Sequence, residues 1–158
     1  MKSHPVSEMI FSLAVVGILL SGFAPSQEQE REYTKFERER FDLDLKFEAT
    51  VILVDGTKFD VSDFHIGIGL YRHKIDTGGG SVSSGLLLPL SNVKRIYKNR
   101  PKDNWANIVF LNDSEMHTQW GGAENQKLYG KKKDGSRWEA TIHQIREVHV
   151  RQVDTEDK

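Results

Sequence analysis

Histidine and carboxylate side chains gather in two stretches of this sequence, and they are the residue types that hold a divalent metal or move a proton. Asp60, Asp63 and His65 form one group; His143, Glu147 and His149 form the other. In an extended strand, residues two apart share a face, which puts Asp63 beside His65 and Glu147 beside His149. Neither group has a recognised ligand spacing, and a tetrahedral site would need third and fourth ligands from elsewhere in the fold. Asp63, His65, His143, Glu147 and His149 are therefore candidate metal ligands only as pairs that the tertiary structure must complete. Ion pairs on a solvated strand are the plain alternative.

Aromatic and basic residues offer a binding surface instead. Trp105 and Trp120 are candidates for a platform that stacks a glycan or a peptide, and Gly121-Gly122 after Trp120 would leave that ring open on a loop. Trp138 sits in a strand-like stretch, Arg137 to Ile142, and reads as core. Lys131, Lys132 and Lys133 surround an Asp134-Gly135 turn together with Lys127 and Arg137, a basic hairpin that suits an acidic partner or simply water. No catalytic residue stands out. Serines cluster in a Gly-Ser loop rather than at a sharp strand-to-helix turn, and no pair of carboxylates is marked for glycoside hydrolysis. No cofactor is implied.

The balance of the chain narrows the classes. With 37% hydrophobic and 28% charged residues, it is too apolar to be disordered throughout and too polar for a membrane bundle. A net charge of -1 gives no global field towards nucleic acid, so no nucleic-acid partner is expected. The absence of cysteine removes disulfides and thiolate metal sites, so the fold must stand on its packing.

Met9 to Ala24 carry no charged side chain, Lys2 supplies a positive end, and Ala24-Pro25-Ser26 offers small residues near a break. Residues 1–26 read as an export signal or, if uncut, a membrane anchor, although a run of about sixteen is short of the roughly twenty that span a bilayer. Residues 27–40 are Glu, Arg and Lys with few apolar side chains, a charged spacer or frayed helix. Residues 154–158 are a polar tail.

Between these lies the β domain, 41–153. Phe41, Leu43, Leu45, Phe47, Ala49, Val51 and Leu53 alternate with polar residues, the period of a strand with one face buried. At Asp55-Gly56 a two-residue loop would place Phe59 and Val61 on the wrong face. One more residue, with Gly56 as a bulge at positive φ, sets Val51 opposite Phe59 and Ala49 opposite Val61. The alternation then slips between Ser62 and Asp63 and resumes through Phe64, Ile66, Ile68 and Leu70, which implies a bulge or bend.

Three stretches recur in order. Val51–Phe59 matches Ile108–Met116, Leu70–Lys74 matches Leu128–Lys132, and Leu88–Ile96 matches Ala140–Val148. Two related antiparallel copies, about 41–99 and 105–153, are expected to pack as one sandwich or barrel, or as tandem small barrels, because a lone copy would be marginal. Val51-x-Leu53-x-Asp55-Gly56 resembles the opening motif of Sm-like small barrels over a single hairpin. Where that pattern has a further glycine, Val61, Ser62 and Asp63 stand here, and no function follows from the likeness.

The expectation is an exported, periplasmic or extracellular β domain that binds another envelope protein or a glycan without turnover. A small hydrolase or metal-dependent enzyme using His and carboxylate groups is the competing expectation.

Overall fold

The computed structural model describes residues 32–78, 86–120 and 126–154. The expected export segment, most of the Gly-Ser loop, Gly121-Gly122 and all but the first residue of the tail lie outside them. The described chain begins with one short helix, α1 (Lys35–Arg40), started by a reciprocal cap in which Thr34 Oγ1 accepts from the Glu37 N–H and the Glu37 carboxylate accepts from the Thr34 N–H. No α1 residue is buried. No helix among the described residues is long and apolar enough to cross a membrane.

The protein is mostly β. Ten strands follow among the described residues: β1 (Lys46–Leu53), β2 (Lys58–Ile66), β3 (Lys74–Asp76), β4 (Leu87–Pro89), β5 (Val93–Tyr97), β6 (Trp105–Phe110), β7 (Glu115–Gln119), β8 (Lys127–Lys131), β9 (Arg137–Thr141) and β10 (Ile145–Val153). Eight form one antiparallel sheet in the order β7-β6-β5-β10-β1-β2-β8-β9, and β3 pairs with β4 in a separate ribbon. One buried apolar cluster joins the inward faces, from Phe47, Val51 and Phe64 through Ile96 and Ile108 to Trp138 and Val148. Both ends of the sheet contribute to that cluster. A flat sheet cannot bring its two ends to one core, so this one curls.

The β1–β2 turn has the expected register, with Ala49 opposite Val61 and Val51 opposite Phe59. Leu53 N–H donates to the Thr57 carbonyl at 2.8 Å, and Gly56 has φ of 88°. The slip after Ser62 is present too: Asp63 is left-handed, at φ 48°, and the β2–β8 register shifts between Ser62 and His65. That bend carries β2 from pairing with β1 to pairing with β8.

Three expectations are corrected. The strand does not start at Phe41: residues 41–44 form a turn with Asp42 at φ 57°, and β1 begins at Lys46. The alternating apolar pattern persists through this turn because Leu43 and Leu45 still pack inward from it. Nor does β2 run on to Leu70. Gly67 and Gly69 both take positive φ, the chain turns into a 3-10 segment at Gly69–Tyr71, and Ile68 is left exposed. For the same reason the middle of the three sequence matches is out of register, since Leu70 and Tyr71 lie in that turn whereas Leu128 and Tyr129 lie in β8. The β3–β4 ribbon sets Leu88 opposite Ile75, and β8–β9 sets Ala140 opposite Leu128.

Candidate functional site

Six neighbouring strands, β2-β1-β10-β5-β6-β7, turn their second set of side chains away from the core onto one face. Their pairing lines up cross-strand rows. One row runs Asp60–Thr50–His149–Arg95; the next runs Lys58–Ile52–Glu147–Tyr97–Asn107–His117. Each residue lies on this face because its chain neighbours, such as Ala49, Val51, Ile96, Ala106, Ile108 and Val148, point into the core.

At one end of the face the β8–β9 hairpin rises beside the sheet and leaves an open cleft of about 450 Å³. Thr50, Asp60 and His149 line its floor, with Glu48 and Arg151 at one side and Lys131 and Lys133 on the hairpin. Its charges are matched. Arg151 pairs with Glu48, Lys133 lies 3.8 Å from Asp60, and Lys131 lies 2.6 Å from Asp63. Thr50 Oγ1 donates to Asp60 Oδ1 at 2.7 Å, and this bond, with Lys133 and Lys58 nearby, holds the Asp60 carboxyl below its ordinary range. The Lys131 ammonium does the same for Asp63.

In the middle of the face, Glu147 Oε1 stands 2.7 Å from both His149 Nε2 and Arg95 Nε. The Arg95 Nε–H is not aimed along a hydrogen bond, so that contact is an ion pair only. The guanidinium also lies over the Tyr97 ring, 4.4 Å from its centre. Tyr97 in turn donates its hydroxyl to Glu115 at 2.9 Å. At the far end Trp105 stacks on the His117 imidazole, with centres 5.2 Å apart and planes within 17°. His117 Nδ1 lies 2.6 Å from Asn107 Oδ1, and Asn107 is only 4% exposed. The ring beneath Trp105 is thus anchored in a nearly buried amide.

No family model matches the chain, and no curated protein or solved structure is similar to it at a significant level. The chemistry of the face must be read from its own side chains.

Of the residues singled out in the sequence, Trp105, Lys131, Lys133, Glu147 and His149 all lie on this face or line its cleft. Trp120 does not. It is fully buried, its backbone N–H bonded to the Asn104 carbonyl and its ring 5.7 Å from the Lys98 ammonium, so it is a core residue rather than an open platform. Trp120 Nε1 has no acceptor among the described residues. Lys132 lies over the Phe59 ring at 5.7 Å.

The first metal pair is turned to other use. Asp63 gives its carboxylate to Lys131, while His65 Nδ1 contacts the Asp63 carbonyl at 2.9 Å and its ring stacks on Tyr129. Burial pushes the His65 imidazole below its ordinary range. In the second group Glu147 and His149 do meet, but His143 is exposed in the 3-10 turn Ile142–Gln144 before β10. Among the described residues no three metal-binding side chains converge. The sequence missed Thr50, Arg95, Tyr97, Asn107 and His117, which come together only through the pairing of strands remote in sequence.

Proposed function

We propose that this is a non-enzymatic binding module of the cell envelope, and that the outward face of the six strands is its binding surface. The observation that carries the reading is the pairing of most of that face's hydroxyl, imidazole and carboxylate groups with a neighbour. The Thr50 hydroxyl is bonded to Asp60 and His117 to Asn107, and His149 Nε2 stands 2.7 Å from Glu147. A hydroxyl nucleophile would need an effective base beside it, and Thr50 donates to a carboxylate whose lowered pKa makes it a weak one. Such a face is preorganised to be recognised rather than to react. The uncharged run Met9–Ala24 supports an exported location.

We also read the described chain as two related copies that have exchanged hairpins. The turns of β1–β2 and β6–β7 carry the same bonds: Leu53 N–H to Thr57 and Phe110 N–H to Ser114. Val54 N–H donates to the Gln144 carbonyl and Leu111 N–H to that of Asn92, each tying a turn to a 3-10 segment. Ile96 stands opposite Val148, the position that matches it in the aligned stretches, as a two-fold relation between copies requires. On this reading β1–β2 joins β8, β9 and β10 in one curled unit, while β6–β7 joins β5 in the other.

The experiment is a metal and turnover assay on the exported form, run beside equilibrium binding to polymer fractions of the native envelope. The expected result is no stoichiometric metal, no product from ester, peptide or glycoside substrates, and saturable binding to one fraction. Stoichiometric zinc or measurable turnover would contradict the reading.

A further inference from the structure

We propose that Trp105, held on His117, is the stacking platform of a subsite for a neutral polysaccharide whose chain runs across Tyr97 and Arg95 towards Glu147 and His149. This rests on the binding-module reading above and names its ligand. Trp105 is 51% exposed, yet it is not loose. Its inner surface lies parallel to His117, which Asn107 fixes from below, so the indole is oriented before anything binds. An aromatic ring that is already immobile loses little entropy on binding and offers a large apolar surface. The C–H face of a sugar ring fits such a surface.

The hydroxyls of that sugar then need donors and acceptors in the plane beside the ring. From β6 the neighbouring strands bring Tyr97 and Arg95 on β5 and then Glu147 and His149 on β10, a reach of roughly 10 Å at ordinary strand spacing. Glu115 accepts a hydrogen bond from Tyr97, and Glu147 is held by close contacts with Arg95 and His149; a carboxylate has about four lone-pair directions, so each keeps room for a sugar hydroxyl.

Charge decides between a neutral and an ionic chain. Arg95 is paired with Glu147 and Arg151 with Glu48, and Lys133 lies near Asp60. Lys58 on β2 and Glu115 on β7 have no ion-pair partner among the described residues but are of opposite sign and at opposite edges, so the face has no net charge to draw a polyanion or polycation. A charged ligand lying along the middle of the face would have to break one of these pairs. A polyhydroxylated one can bond to both members and leave the pair intact.

The test is a titration of the nitrogen-15-labelled chain with cellohexaose, chitohexaose, maltohexaose and mannohexaose, following the Trp105 indole resonance. At least one hexamer is expected to shift that resonance and those of Tyr97 and Arg95, with an affinity that does not weaken as salt is raised. Trp105→Ala should lower the affinity at least about tenfold and Trp105→Tyr should restore part of it. The dispersed resonance of buried Trp120 reports that each variant stays folded. No shift of Trp105 with any hexamer, or unchanged affinity in Trp105→Ala, would overturn the proposal. A salt-sensitive response to oligoglutamate centred on Lys131 and Lys133 would overturn it too, while leaving the binding-module reading in place. Release of new reducing ends from a bound hexamer would keep the subsite and remove the non-enzymatic reading.

Discussion

Burial lowers the pKa of both His73 and Lys98. His73 is buried against Phe47 with Nδ1 2.7 Å from the Asp42 carbonyl, and burial, with Arg72 and His65 nearby, lowers its pKa to about 4. The folded chain therefore refuses a proton that the unfolded chain accepts below about 6.5. Stability from this group is fully present above that pH and is lost as pH falls towards 4, up to about 3 kcal/mol. His73→Gln keeps a donor for the Asp42 carbonyl without the titration. Urea denaturation between pH 7.5 and 4.5 should show a shallower loss in the variant, and equal slopes would contradict the assignment.

Lys98 is nearly buried, with one hydrogen bond to the Ile142 carbonyl at 2.7 Å, and desolvation lowers its pKa to about 8. Here the unfolded chain keeps a proton that the folded one releases. Stability should thus rise between about pH 8 and 10, and Lys98→Met should not share that rise in the same assay. The two tryptophans offer a contrast on the same scale. Trp120→Ala empties a fully buried site and should cost about 3–5 kcal/mol, whereas half-exposed Trp105→Ala should cost far less. From sequence the two looked alike, because burial depends on which strand end each occupies and not on the glycines beside it.

Among the elements, the turns are the most legible. Only one loop length at Asp55-Gly56 places Val51, Phe59, Ala49 and Val61 on one side, and the register follows that constraint. The turn of β6–β7 adopts the same geometry with Asp113 at φ 63° where the first turn has Gly56. Gly56→Ala should lower stability by about 1 kcal/mol, and Asp113→Gly should raise it by a smaller amount, because only glycine takes that conformation without strain while the exposed Lys94–Asp113 pair that is lost contributes little. Thermal unfolding checks both; a loss on Asp113→Gly would sink the argument. At Gly130 a Cβ would meet the Ser62 carbonyl at 3.0 Å and Val61 Cβ at 3.1 Å, so β8 approaches β2 only because that position has no side chain. Alternation was a poor guide to strand ends. Leu43 and Leu45 pack inward from a turn, and Ile68 continues the pattern beyond the last pairing, since hydrophobic spacing marks burial and not hydrogen bonding.

At the scale of the molecule, strands from the two ends of the sequence are interleaved. β10 lies between β1 and β5, and β8 pairs with β2, so residues 46–97 and 105–153 share ladders throughout. Cleavage at a protease site placed in the 98–104 connection should leave both fragments in one particle. Two separable folded pieces would contradict the topology. Sequence pattern could not show this interleaving, because each strand is equally satisfied by either partner hairpin. It is also what builds the outward face, in which Thr50 from one end of the chain meets His149 from the other.

That face is the centre of the account, and a residue-resolved chemical-shift map of the intact chain with whichever envelope fraction it binds tests it most directly. The expected map is one continuous patch through Trp105, His117, Tyr97, Arg95, Glu147, His149 and Thr50. Perturbations confined to the exposed turns at Val54 and Leu111, or to the Lys132–Ser136 tip, with the face unchanged, would contradict it.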